Sequence, residues 1–491
     1  MSNTLADHQR RVAAARATDH DASQSGRRGW RRRHPDPADQ AAVDSGPVAL
    51  RRGPDPTIAN PGVRLVRHRA TTAHLASVHP FHGGHALADV AAPYVGVNVT
   101  DGGSAWCYDP FELYGRDLGG GMILTNSNLL VLGEPGNGKS TAVKTMLYRQ
   151  AGYYGSRRFI AISDPKGEYG PLSAALGIPT VKLQPGGRDR LNPLDPGPGD
   201  RETSVLARQT LLIAMIGVAL GRDLNVVEQA ILAIAVTRLD ERHKHSRPAT
   251  LVELAALLGV LPAELRAHPH LGLLTETELN ASLTALRLAL VRLLEHTLRG
   301  MFDGASTVPA DWTSGAGITL DLSAVFDNPD ALQLVQLTAN AWLSQQLAAL
   351  QGQNRRGILV EDEVWATTAS ERSAKALQAR LKLCRLYGIW NVLVTHRLSD
   401  LRAQADDGSS ASKVAEGLIG DIQTKVVFRQ ATDQLADATR LLRLNDKTTA
   451  LLPELTKGRA LWLVAGRKAV VHHVLGWHEA HLTDTDAAMT A

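Results

Sequence analysis

Cysteine is almost absent from this chain: its 491 residues include two, Cys107 and Cys384, far apart in sequence. Two distant thiols supply neither the disulfide framework of a small secreted fold nor the clustered ligands of a structural zinc site, and they fit a reducing cytoplasm. Long apolar runs are also missing. No stretch reaches the roughly 18–20 residues that cross a bilayer. The longest candidate, Leu211–Leu220, is bracketed by Arg208 and Arg222 and reads as a buried helix. The N-terminus carries Asp and Arg with no apolar core, which argues against a signal peptide. A basic body is lacking as well. The formal net charge is +4, but residues 1–70 hold thirteen Arg and seven Asp, which leaves −2 on the remainder. The high isoelectric point therefore describes the N-terminal segment and does not argue for a nucleic-acid-binding body.

What is present is a nucleotide-binding signature. Residues 128–132, Asn-Leu-Leu-Val-Leu, read as a buried strand. They run straight into Gly133, Glu134, Pro135, Gly136, Asn137, Gly138, Lys139, Ser140 and Thr141, a G-x-x-x-x-G-K-S loop followed by a helical pattern. Gly133, Gly136 and Gly138 let the backbone curl so that successive N–H groups face an anion, and the helix beginning near Lys139 adds its positive end. In this arrangement Lys139 reaches the β- and γ-phosphates of ATP, and Ser140 ligates Mg²⁺.

Three further motifs lie at the ends of predicted strands, where ligand crevices of open α/β sheets form. In Gly357-Ile-Leu-Val-Glu-Asp-Glu-Val-Trp365 an apolar run leads into acidic residues. Asp362 is assigned to the metal shell and Glu363 to the base that activates water, with Glu361 the rival for either role. In Ser163-Asp-Pro-Lys-Gly-Glu-Tyr169 the residues Asp164, Lys166 and Glu168 fall near the γ-phosphate or a neighbouring subunit. In Leu393-Val-Thr-His-Arg-Leu-Ser-Asp400, Thr395 or His396 is placed to sense the γ-phosphate. The cation that phosphoryl transfer needs comes from Arg397, Arg429 or Arg467; sequence alone does not choose, and Arg429 is favoured.

Along the chain, residues 1–75 form an Arg-rich segment expected to be a disordered tail or an arm for nucleic acid, anionic lipid or an acidic partner. Residues 76–127 form a small β unit, with strands at Tyr94–Val99 and Ala105–Tyr108. The first part of the nucleotide core spans 128–199. Apolar residues at i, i+3, i+4 spacing then predict an all-helical insertion over 200–304, with helices at Thr203–Leu220, Val226–Arg242, Leu251–Leu258 and Glu276–Arg299. Strand and helix alternate again in the second part of the core, 305–480, which closes on the β pair Ala460–Val464 and Ala469–Val474. A C-terminal tail occupies 481–491. Alternating strands and helices give an α/β class with a mostly parallel sheet covered on both faces.

The motifs in this order resemble the VirB4/TraC family of type IV secretion ATPases, within the HerA/FtsK class of RecA-like P-loop NTPases. The matching residues are Gly133–Thr141, Asp164–Tyr169, Leu191-Asn-Pro-Leu-Asp195, Met301-Phe-Asp-Gly304, Asp362-Glu363, Thr395-His396 and Gly458-Arg-Ala-Leu-Trp462. The match spans roughly residues 85–478. Two departures stand out: His396 occupies a position where many members carry Gln, and the region before the P-loop is short. The resemblance implies an ATP-hydrolysing, Mg²⁺-dependent motor that powers conjugative DNA transfer or type IV secretion. It implies a homo-hexamer with ATP between subunits, peripheral to the inner face of the cell membrane through the secretion complex. A DNA translocase or coupling protein acting directly on DNA is the alternative within the class. A nucleotide-binding assembly platform without turnover is the alternative outside it.

Overall fold

The structure, a computed structural model, describes residues 87, 90–118, 121–196, 201–260, 271, 274–295, 298–307, 315–348, 355–368, 371–397 and 410–483. All of these fall within one compact unit, His79–Ala491. The expected Arg-rich tail 1–75 and the expected helix cap at Ser399 lie outside the described residues.

The architecture follows from short, wholly apolar runs. β1 (Tyr94–Asn98) and β2 (Ser104–Cys107) precede β3 (Leu129–Leu132), the strand before the glycine-rich loop. β4 (Arg158–Asp164), β5 (Thr180–Lys182), β6 (Gly317–Asp321), β7 (Arg356–Glu361) and β8 (Ile389–Thr395) follow, then β9 (Thr424–Val427), β10 (Arg459–Val464) and β11 (Arg467–His473). They form a single 11-stranded sheet in the order β2-β1-β11-β10-β9-β3-β8-β7-β4-β6-β5. From β5 through β9 neighbours are parallel; β10, β11, β1 and β2 add antiparallel pairs at one side. Every residue of β3, β4 and β8 is buried, as expected for parallel strands covered on both faces.

Alternation along the strands distributes side chains between separate cores. Leu129 and Val131 face the core that holds the P-loop helix (Lys139–Tyr154), while Leu130 and Leu132 face a second core with the helix Glu371–Tyr387. Phe159 and Ala161 pack into a third core that also contains the helices Arg201–Leu220, Val226–Arg242, Leu251–Val260 and Glu276–Leu294. The helical insertion thus shares its apolar interior with the sheet and with the helix Pro329–Ala348.

Three differences from the sequence expectation have identifiable causes. The strands before the P-loop extend the main sheet, because β1 pairs with β11 in the register Gly96↔His473. A side chain on Gly96 would meet the carbonyl oxygen of His472 at 2.1 Å, so the close approach requires glycine there. The last helix of the insertion stops at Leu294, where Glu295 turns to extended backbone (φ −117°, ψ 175°). Beyond residue 480 the chain forms a short helix, Ala480–Thr483, beside the P-loop helix.

Candidate active site

The order of strands sets the site. β8 lies between β3 and β7, so the residue after β8 falls between the glycine-rich loop and the acidic end of β7. That residue is His396. The loop itself is pinned by its neighbours: Gly133 N–H donates to His396 O at 3.2 Å, Glu134 N–H to Arg429 O at 3.0 Å and Gly458 N–H to Asn137 O at 3.0 Å. Gly133 (φ +149°) could carry no side chain, since a Cβ would lie 2.5 Å from Phe428 Cβ. Gly138 has φ +100° and enters the helix Lys139–Tyr154 from the left-handed region, which favours glycine. The N–H groups of Gly136, Asn137 and Gly138 make no hydrogen bond among the described residues. Together with the N-terminus of a long helix, these free donors form a cradle suited to phosphate.

Lys139 closes this cradle. Its Nζ donates to Gly133 O at 2.5 Å and Glu134 O at 3.0 Å, and lies 3.1 Å from His396 Nδ1. Burial lowers its pKa to about 8, against the opposing pull of Asp362 and Glu363. His396 Nδ1 faces Lys139 Nζ, while Nε2 lies 2.8 Å from Glu363 Oε1 and 3.2 Å from Lys166 Nζ. The imidazole therefore links the P-loop lysine to the acidic residue assigned as base.

Glu363 is held on both oxygens. Lys166 Nζ is 2.5 Å from Oε1, and Trp365 Nε1–H donates to Oε2 at 2.6 Å. Burial by itself raises its pKa; the hydrogen bond and charge of His396, followed by those of Lys166, outweigh that and bring it to about 2. Its backbone has φ +52°, a conformation rarely adopted by a residue with a side chain, which re-aims the chain as it leaves β7. Next to it, Asp362 is buried and its pKa is raised to about 7, first by burial and then by the Glu363 charge.

The three contiguous carboxylates are now distinguishable. Glu361 lies on the other side of the strand, paired with Arg380 and accepting from Asn340 Nδ2 at 2.6 Å, and it is fully buried. Asp362 and Glu363 lie within electrostatic reach of Lys139. Asp164 does not face the cleft as the sequence reading expected. Its oxygens accept from Glu168 N–H at 3.1 Å and Tyr169 N–H at 2.9 Å, so it shapes the turn that presents Lys166. Arg429, half exposed, lies with Nε 3.7 Å from Glu134 Oε2 at the rim of the loop. Arg397 is exposed just beyond His396. Arg467 opens β11 opposite Val464, which pairs with Thr424 at the start of β9, so it sits at the far edge of the sheet.

Lys139, Lys166 and His396 border a cleft of about 710 Å³, a size suited to a nucleotide, and Asp362 and Glu363 lie buried behind them. Pro135, Gly136, Gly138, Lys139, Ser140 and Thr141 form its floor; Lys166, Glu168 and His396 form one end. Sequence reasoning missed Trp365, although it stands two residues from Glu363, whose Oε2 it holds. It also assigned no role to Lys457, His473, Val474, Leu475, Ala480, His481 or Thr483, which line the rest of the cleft. The residues present fit a magnesium nucleotide: an open amide cradle, a lysine over it, the Ser140 hydroxyl in the cleft wall and a buried Asp362 carboxyl whose high pKa a divalent cation would relieve.

No protein-family model matches this chain, and no curated protein matches it in sequence. Solved structures do share its fold. VirB4 of Thermoanaerobacter pseudethanolicus superposes with a TM-score of 0.64 at 20% identity, over 80% of this chain and 99% of that one. The plasmid coupling protein TrwB in complex with the non-hydrolysable ATP analogue ADPNP gives 0.51 at 18% identity, over 71% and 86%. The same protein with ADP and Mg²⁺ gives 0.50 at 18%, over 71% and 86%. The chain thus has the α/β fold of these proteins.

Proposed function

We propose that this chain is an ATP-hydrolysing motor of the VirB4 kind, powering conjugative DNA transfer or type IV secretion. The observation that carries the reading is the line of groups across the cleft, Lys139–His396–Glu363, with Asp362 alongside, in a fold shared with VirB4. In this account the loop amides and Lys139 bind the phosphates of ATP, Ser140 and Asp362 hold Mg²⁺, and the ion supplies charge neutralisation on the phosphate oxygens. Glu363 takes a proton from the attacking water once a donor lets go of it, because a carboxylate with a pKa near 2 is a weak base. His396 aligns Glu363 and reports the state of Lys139 to it. Arg429, at the loop rim, is the favoured arginine for a neighbouring subunit's site in a homo-hexamer.

Among the described residues no helix is long and apolar enough to cross a membrane. The proposed station at the inner face of the membrane therefore depends on partners in the secretion complex or on the Arg-rich N-terminal segment. The likeness to TrwB, titled a bacterial conjugative coupling protein, supports a second reading, a motor acting directly on DNA. Steady-state ATP turnover with and without single- and double-stranded DNA, with mass measured in parallel, separates them. Turnover that needs the oligomer and ignores DNA is expected of the secretion motor. Stimulation of many-fold, steeply reduced by salt, would replace it with the translocase.

A further inference from the structure

Residues 331–340 of the helix Pro329–Ala348 are all buried, yet three of them are amides: Gln333, Gln336 and Asn340. Spaced by three and four, they fall on one face of the helix. A buried amide without a partner is costly, and each of these has one. Gln333 Nε2–H donates to Ser373 Oγ at 3.3 Å, Gln336 Nε2–H to Asp362 O at 2.8 Å and Asn340 Nδ2–H to Glu361 Oε2 at 2.6 Å. Two of the three therefore end on the acidic end of β7.

The acceptors they choose control the site. Asp362 O belongs to the peptide that joins Asp362 to Glu363, and the N–H of that same peptide donates to Asp362 Oδ1 at 3.0 Å. The bond whose rotation is the φ of Glu363, +52°, leaves from this peptide plane. Gln336 thus holds the one plane from which both carboxylates are aimed. Glu361 is gripped from two helices, by Asn340 on Oε2 and by Arg380 on Oε1, which fixes the rotation of β7 as it enters Asp362.

The other side of the helix reaches the insertion. Trp342, two residues past Asn340 and so about half a turn round, donates from Nε1–H to Asp195 Oδ2 at 3.2 Å. The same oxygen accepts from Ser306 Oγ at 2.5 Å. Asp195 lies just before the helical insertion and Ser306 just after it. The two junctions are also joined through their backbones, Leu191 N–H to Met301 O at 2.8 Å and Thr307 N–H to Arg190 O at 3.1 Å. Both ends of the insertion are clamped together, and one indole fastens the clamp to the helix that holds β7.

We propose that Gln336 and Asn340 are positioning residues for Asp362 and Glu363, and that Trp342 makes their helix the connection through which the placement of the insertion sets the geometry of the two carboxylates. This rests on the reading of Asp362 as a holder of magnesium beside a bound nucleotide.

The test measures ATP affinity of the full chain by titration calorimetry with Mg²⁺ and with EDTA, and follows single-turnover hydrolysis on the same samples. Gln336→Met keeps the length of the side chain and gives up the hydrogen bond to Asp362 O. It is expected to leave metal-free affinity within about twofold, to cut the gain from Mg²⁺ at least about fivefold and to slow hydrolysis at least about tenfold. Gln333→Met removes a buried amide from the same face without touching β7, and is expected to keep the wild-type gain and rate. Trp342→Phe keeps a ring in place and gives up the donor to Asp195; it is expected to cut the gain from Mg²⁺, and the Trp342→Phe/Gln336→Met double variant to lose no more than Gln336→Met alone, because both act through one helix. Trp342→Phe also decides the matter if Gln336→Met does not fold. A Gln336→Met protein with the wild-type gain, or a Gln333→Met protein that loses as much, would overturn the positioning role and leave the nucleotide reading standing. A Trp342→Phe protein with the full gain, or additive losses in the double variant, would overturn the connection to the insertion. Wild type that gains no ATP affinity from Mg²⁺ would overturn the inference and the magnesium-nucleotide reading together.

Discussion

Removing Lys166 should loosen the base it holds, and the size of the effect follows from the site. Glu363 titrates near 2, against an ordinary 4.5. At ~1.36 kcal/mol per pKa unit, its ionised form is favoured in the folded protein by roughly 3 kcal/mol. The sign is that of a depressed carboxylate: the stabilisation is present above pH about 4.5 and is lost as pH falls through the folded pKa near 2. His396 and Lys166 share oxygen Oε1 and both lower its pKa. At pH 7, Glu363→Gln is therefore expected to cost about 3 kcal/mol in wild type and clearly less in a Lys166→Met background, where one of the two partners is gone. Methionine keeps much of the length of the lysine stem without its charge. Urea denaturation of the four proteins of this double-mutant cycle gives the coupling directly. Equal costs of Glu363→Gln in the two backgrounds would refute the claim that Lys166 acts on the base.

Three further outcomes are expected. His396→Gln should retain ATP turnover within a few-fold of wild type, since an amide can accept from Lys139 and donate to Glu363 at once, whereas His396→Leu should lose at least about tenfold; equal rates for the two would remove the relay. Mg·ATP affinity should rise with pH up to about 7, because the Asp362 carboxyl is protonated below that value and only its ionised form serves the cation, and fall again above about 8, where Lys139 loses its proton; in Asp362→Asn the rise below pH 7 should vanish, as followed by calorimetry on either side of the two values. Arg158→Met should destabilise the protein by roughly 3–5 kcal/mol, because Asp109, fully buried and 2.6 Å from Arg158 Nη2, would be left without its cation; a loss under about 1 kcal/mol in urea would show that the pair contributes little.

Much of the candidate site around the glycine-rich loop was legible because its pattern is local. Gly133–Ser140 needs its spacing to form the loop, and runs such as Leu129–Leu132 and Ile358–Val360 declare buried parallel strands whose carboxyl ends carry the motifs. The choice among Glu361, Asp362 and Glu363 was not legible. Strict alternation along β7 gives one answer, and the positive φ at Glu363 re-aims the chain just where the choice matters. Asp164 was misplaced for a related reason: its oxygens serve backbone N–H groups four and five residues on, a turn-forming use that looks the same in sequence as a ligand. The far end of the cleft was invisible because the ion pair that fastens it joins Arg149 to Glu479 across most of the chain. The joining of β1 to β11 is equally non-local, and the glycine that permits it, Gly96, carries no signal that names its partner. The helices Ser410–Asp421, Leu435–Leu442 and Asp446–Leu451 were overlooked despite a readable cap, Asn445, whose side chain accepts from Thr448 N–H at 2.9 Å.

The most direct test of the motor account is single-turnover hydrolysis of Mg·ATP by wild type and Glu363→Gln, with ATP binding measured on the same samples. The account predicts that wild type hydrolyses bound ATP, and that Glu363→Gln binds it as tightly but hydrolyses it at least about a hundredfold more slowly, as expected when a general base is removed. Wild type that binds ATP without hydrolysing it in the assembled oligomer, or a Glu363→Gln protein that hydrolyses at the wild-type rate, would contradict it.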